Sequence, residues 1–105
     1  MTAERTVRIV LKGDLDVYRA KEVEAKFPPP GDADRIVVDC SRANIIDSSV
    51  ITVFVRYRRA FAQAGGDPIN IVFIVSDPMR RIFDITGISK FMTVISASDP
   101  DAHKH

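Results

Sequence analysis

Two hydroxyls and a carboxylate stand together in Asn44-Ile45-Ile46-Asp47-Ser48-Ser49-Val50, between an apolar run and a stretch of helical spacing. A strand-to-helix junction leaves the first N–H groups of the helix without intrahelical acceptors, so it favours capping hydroxyls and negative charge. Two chemistries suit this serine pair. One is plain N-capping by Ser48 or Ser49. The other is phosphorylation of Ser48: the helix start tolerates a dianion, and its charge would join Asp14, Asp16 and Asp47 in a cluster that repels an acidic partner surface. Residue types alone leave both open.

Other chemistries find less support. Nucleophilic catalysis needs a base beside the serine, and the two histidines, His103 and His105, stand in the polar C-terminal segment, so no catalytic residue is assigned. Asp14, Asp16, Asp47 and Asp77 are oxygen ligands suited to a hard cation. Helix-capping carboxylates give the same pattern, and no metal site is expected. Neither a G-x-x-x-x-G-K-[ST] nor a G-x-G-x-x-G loop occurs, and Gly65-Gly66 follows a helical stretch instead of a strand, so no cofactor is expected. Arg56, Arg58, Arg59, Arg80 and Arg81 read as solvated helix faces with no aromatic ladder between them, which argues against direct nucleic-acid binding. Cys40, alone in the chain and set in an apolar run, reads as a small core residue and excludes an intramolecular disulfide.

The elements that must position these groups follow from periodicity. Apolar, β-branched runs predict strands over residues 6–12, 35–40, 69–75 and 91–95. Val17, Ala20, Val23 and the segment up to Phe27 have helical spacing, with Asp16 as N-cap, and Pro28-Pro29-Pro30-Gly31 ends that helix. Ser41-Arg42-Ala43-Asn44 reads as a loop. Val50, Val53, Phe54, Tyr57, Phe61 and Ala64 fall on one helical stripe, which decides for a helix from Ser49 to Ala64 over a strand. Ser76-Asp77-Pro78 opens a third helix carrying Met79, Ile82, Phe83 and Thr86 on one face, closed by Gly87.

Strand and helix in strict alternation predict an α/β fold with a mostly parallel sheet of about four strands and three or more helices. Loops at the carboxyl ends of such strands gather on one edge, which should then carry Asp14, Asp16, Asp47, Ser48, Ser49, Ser76 and Asp77. At 105 residues the chain is expected to be a single domain, residues 1–105, with residues 96–105 as a flexible tail. A net charge of +1, from 15 basic and 14 acidic residues, supplies no field of one sign to draw a polyanion. The N-terminus lacks the apolar core of a signal peptide, and the apolar runs fall short of the ~18 residues of a spanning helix. The expectation is a cytoplasmic protein without membrane insertion.

Three motifs in order also resemble a known family. Ile46-Asp47-Ser48-Ser49 is similar to the D-S-S-G segment of STAS domains, the sulfate-transporter and anti-sigma-factor-antagonist fold. Gly13-Asp14-Leu15-Asp16 resembles the family's G-x-L-D turn, and Met79-Arg80-Arg81-Ile82-Phe83-Asp84-Ile85-Thr86-Gly87-Ile88 its third helix. The resemblance implies a single STAS domain that acts as a non-enzymatic switch in transcription regulation. Such an antagonist binds an anti-sigma factor that is also a serine kinase, is released when the kinase phosphorylates the first serine after the aspartate, here Ser48, and is reset by a phosphatase. Asp14, Asp16, Asp47, Ser49 and Val50 would then face the partner. Val50 replaces the family's glycine, adding a branched side chain at that surface, and the short N-terminus implies four clear strands. A second implied role is a STAS accessory subunit of an ABC-type lipid transporter, never phosphorylated.

Overall fold

The structure, a computed structural model, describes residues 4–104. Four strands, β1 (Thr6–Leu15), β2 (Arg35–Ile46), β3 (Ile71–Val75) and β4 (Thr93–Ser96), form one sheet in the order β1-β2-β3-β4, with every neighbouring pair parallel. The crossovers carry helices α1 (Ala20–Ala25), α2 (Ser48–Gln63) and α3 (Asp77–Thr86). Each crossover advances one strand in the same direction. Right-handed connections therefore lay all three helices on one face of the sheet, and the apolar contacts agree. Ile9, Leu11, Ile36, Val38, Phe73 and Val75 from alternate strand positions share one cluster with Val23 of α1, Val53, Phe54 and Phe61 of α2, and Met79 and Phe83 of α3.

β3 is buried at all five positions, as its continuous apolar run demands. On the face without helices Val37 and Ile74 pack with Ala102, which is 6% exposed and lies in a 3-10 turn, Pro100–Lys104. Ala102 thus brings part of the polar C-terminal segment against the sheet, and His105 is outside the described residues.

Local chemistry accounts for the helix ends. Asp16 caps the turn Val17–Arg19, its carboxylate accepting from the Tyr18 N–H at 3.1 Å, and α1 follows directly. The helix ends before Pro28, whose ring cannot continue it. Ser76 caps α3 by accepting from the Met79 N–H, Pro78 occupies its first turn, and Gly87 closes it at φ 82°, a left-handed conformation that favours glycine.

Cys40 lies at 1% exposure beneath α2, and burial, with a smaller contribution from Asp39, pushes its thiol up to about 12. Because the thiolate is the reactive species, the folded protein should resist an aromatic disulfide reagent at pH 8 and take up one equivalent only in denaturant. Stoichiometric labelling of the native chain would show that Cys40 is not a core residue.

Candidate functional site

The sheet is uneven at its carboxyl edge. Pairing of β2 with β3 ends at Cys40 opposite Val75, whereas β2 continues to Ile46 with β1 as its only described partner. At ~3.3 Å per residue, the residues from Ser41 to Ile46 form a two-stranded ribbon reaching roughly 20 Å beyond the end of β3. Ser41-Arg42-Ala43-Asn44 is therefore strand, not loop, and Asp14 belongs to β1 itself.

Two irregularities shape the ribbon. The register steps from Val10↔Asp39 to Lys12↔Arg42 and from Gly13↔Ala43 to Asp14↔Ile45, each placing one additional residue on β2. Such bulges bend a strand and redirect its side chains. Gly13 accommodates this at φ 84°, a left-handed conformation. Arg19 fastens the opposite side: its guanidinium donates to the Lys12 carbonyl at 2.7 Å and to Glu22 at 3.1 Å.

At the ribbon tip the two acidic segments meet. The Asp47 N–H donates to the Leu15 carbonyl at 2.8 Å, and Asn44 Nδ2 donates to Asp14 Oδ1 at 3.3 Å. Asp14, Asp16, Asp47 and Ser48 are thus brought together at one end of the β1–β2 pair. Ser76 and Asp77 follow β3 and sit at the same edge but set back from the tip, because the ribbon outruns β3; there Asp77 accepts from Ser98 Oγ at 2.7 Å. Among the described residues no three His, Cys, Asp or Glu side chains gather as they would to hold a metal ion.

Asp47, not either serine, caps α2. Its Oδ2 accepts from the Ser49 N–H at 2.8 Å and from Ser49 Oγ at 2.6 Å. Ser49 is half-buried and its hydroxyl is committed to this contact, whereas Ser48, the first residue of the helix, is exposed. Among the described residues the Ser48 hydroxyl has no hydrogen-bond partner; its carbonyl accepts from Thr52 Oγ1 at 2.9 Å. The two adjacent serines are chemically unequal: one hydroxyl is tied down and the other is free to react.

Val50 departs from its expected place. The resemblance implies a partner-facing Val50, but its side chain is 0% exposed. Helical spacing turns Val50 inward with Val53 and Phe54, one turn on, so it shapes the helix start from beneath without touching anything outside. The exposed apolar side chains at the tip are instead Val17, Tyr18 and Ile45, at 56%, 91% and 51% exposure. Val17 shares the helical spacing of Ala20 and Val23 but lies in the 3-10 turn before α1 and stays exposed. The available signal for Ile45 was its position between Asn44 and Asp47; Tyr18 follows the capping Asp16 directly.

Hydrogen bonds from the Ser49 hydroxyl and backbone N–H hold the Asp47 carboxyl below its ordinary value. A carboxyl lowered in the folded state stabilises it fully above the unfolded value, near ~3.9, and that contribution is lost as pH falls through the folded value. Asp47→Ala should therefore lower stability to urea at pH 7. The gap from the parent should close as pH falls below about 4, and a gap independent of pH would mean that the charge plays no part in the cap.

The family model described as STAS domain matches residues 2–100. A Staphylococcus aureus protein named anti-sigma-B factor antagonist is 31% identical over 96 residues, covering 89% of this chain and 86% of that protein. A Staphylococcus epidermidis protein of the same name is 30% identical over 96 residues, covering 90% and 87%. Among solved structures, the anti-sigma factor antagonist SpoIIAA in its unphosphorylated form superposes with a TM-score of 0.69 at 21% identity, covering 99% of this chain and 90% of that one, which shows a shared fold.

Proposed function

The chain belongs to the STAS domain family, and from that premise we propose that it is a cytoplasmic anti-sigma factor antagonist, not an enzyme, switched off by phosphorylation of Ser48. The observation that carries this reading is the inequality of the two serines at the ribbon tip: Ser48 exposed with a free hydroxyl, Ser49 bound to Asp47. The relatives named as anti-sigma-B factor antagonists support the choice of partner over a transporter subunit.

In the binding-competent state, the partner kinase lies against the tip and contacts Asp14, Asp16, Asp47 and the exposed Val17, Tyr18 and Ile45. Exposed apolar side chains, an aromatic one among them, are enriched at protein interfaces, where polar contacts surround them. Asp47 Oδ2 is engaged by Ser49, and no described residue hydrogen-bonds the Ser48 hydroxyl as a base would. The kinase must supply the base. Ser48 Oγ attacks the γ-phosphorus of ATP, ADP leaves, and the hydroxyl proton passes to a base on the kinase.

The product phosphate carries about −1.5 to −2 charge at neutral pH. Within the chain it lies at the N-terminus of α2, where free N–H groups and the helix dipole accept it. Toward a partner already facing three carboxylates, it adds like charge and bulk at the centre of contact. Phosphorylation therefore disfavours the complex without unfolding the domain, and a phosphatase that hydrolyses the ester restores it.

The test is release. Unmodified protein added to a purified complex of an anti-sigma factor serine kinase with its sigma factor should displace the sigma factor, and prior phosphorylation should abolish the displacement. If the unmodified chain binds no such kinase and instead copurifies with a transporter ATPase, the antagonist reading fails.

A further inference from the structure

Along the flank of α2 that faces the turn before β4 runs a half-open groove of about 410 Å³. Its walls are apolar, formed by Ile51 and Val55 of α2 and by Ile88, Phe91 and Met92 across from them. Val55 and Phe91 leave 40% and 68% of their surface in water. Two charged residues line the groove, Arg58 and Arg59, both cationic, and no acidic residue does. Neither arginine forms an ion pair with another described residue. The Nε of Arg58 is shut off from solvent and has no hydrogen-bond acceptor among the described residues.

We propose that this groove binds a medium-chain fatty-acid anion, its carboxylate held by the Arg58 guanidinium and its alkyl chain laid between α2 and the segment from Ile88 to Met92. The paired terminal N–H groups of a guanidinium match the two oxygens of a planar carboxylate, and Arg59 beside Arg58 adds a second cation to the same lining. The apolar walls account for the chain, and the absence of acids from the lining excludes a cationic ligand by charge. A volume near the lower end of the ~300–1,000 Å³ typical of small-molecule pockets suits one alkyl chain better than a two-chain lipid. The groove shares no lining residue with the Ser48 tip, so this site stands independently of the phosphorylation reading.

Titration of the isotope-labelled protein with decanoate below its micelle concentration, followed by amide chemical shifts, tests the proposal. Saturable shifts are expected at Val55, Ile88 and Met92, with none from decyltrimethylammonium at equal concentration. Arg58→Met, which keeps the apolar stem, should weaken decanoate binding at least about tenfold. Arg58→Lys should bind with intermediate strength, and both variants should keep the parent's circular dichroism. Absence of saturable shifts, shifts centred instead on Phe27 and Tyr57, equal binding of the ammonium, tighter binding of decyl phosphate, or an unchanged affinity in Arg58→Met would each overturn it.

Discussion

Ser48→Asp should weaken binding to the partner kinase at least about tenfold, on the order of 1.4 kcal/mol, while leaving the fold as stable as the parent or slightly more so. The two effects have opposite signs for one physical reason. Ser48 opens α2, and a carboxylate in a first helical turn is worth about 0.3–1 kcal/mol of favourable dipole interaction. Toward the partner the same charge joins Asp14, Asp16 and Asp47 of this chain, and against an acidic partner surface such like charges cost up to several kcal/mol. Ser48→Ala should bind as the parent does and never be released by ATP. Calorimetric titration and urea unfolding of the same samples separate the outcomes. Weakened binding with an equally weakened fold would point to structural damage, and undiminished binding would sink the electrostatic account of the switch.

Val50→Gly should cost about 3 kcal/mol of folding stability, although it restores the glycine of the D-S-S-G pattern. Removing a fully buried valine forfeits about 1.5–3 kcal/mol of apolar burial. Glycine within a helix costs about 1 kcal/mol more than alanine. Val50 is 0% exposed and packs in the cluster with Val53 and Phe54, so both penalties apply. For a domain of this size the melting temperature should fall by roughly 10–20 °C. Kinase binding at a temperature where the variant is folded should change little, because the side chain does not reach the surface. A variant as stable as the parent would show that Val50 is not a core residue.

The contrast between these two positions also shows what the sequence made legible. β2 and β3 follow from continuous β-branched runs, and α2 from a stripe at 3.6-residue spacing that outweighed the strand propensity of Val50-Ile51-Thr52-Val53. The parallel α/β class follows from alternation, but the order β1-β2-β3-β4 does not, because the same alternation also builds sheets of other strand order. The ribbon was hidden because its bulges arise from pairing between two chain segments: Ser41-Arg42-Ala43-Asn44 has the composition of a loop and becomes strand only by facing residues 12–14 of β1. The same tertiary influence set Ser76 and Asp77 back from the tip.

At the junction, Asp47, Ser48 and Ser49 are all good capping residues, so propensity could not choose among them. Asp47 is the residue that caps, with its own N–H bonded to the Leu15 carbonyl, and the Ser48 hydroxyl is left without a partner among the described residues. Val50 was misplaced because the resemblance to a glycine-bearing pattern suggested a surface, whereas helical phase turned the side chain toward the sheet.

The most direct measurement of the central claim is the site of modification after incubation with ATP and an anti-sigma factor serine kinase, read by fragment-ion mass spectrometry. A single phosphate on Ser48, absent from Ser48→Ala and retained in Ser49→Ala, is the predicted result. Phosphate on Ser49, or transfer to Ser48→Ala at the parent's rate, would contradict it.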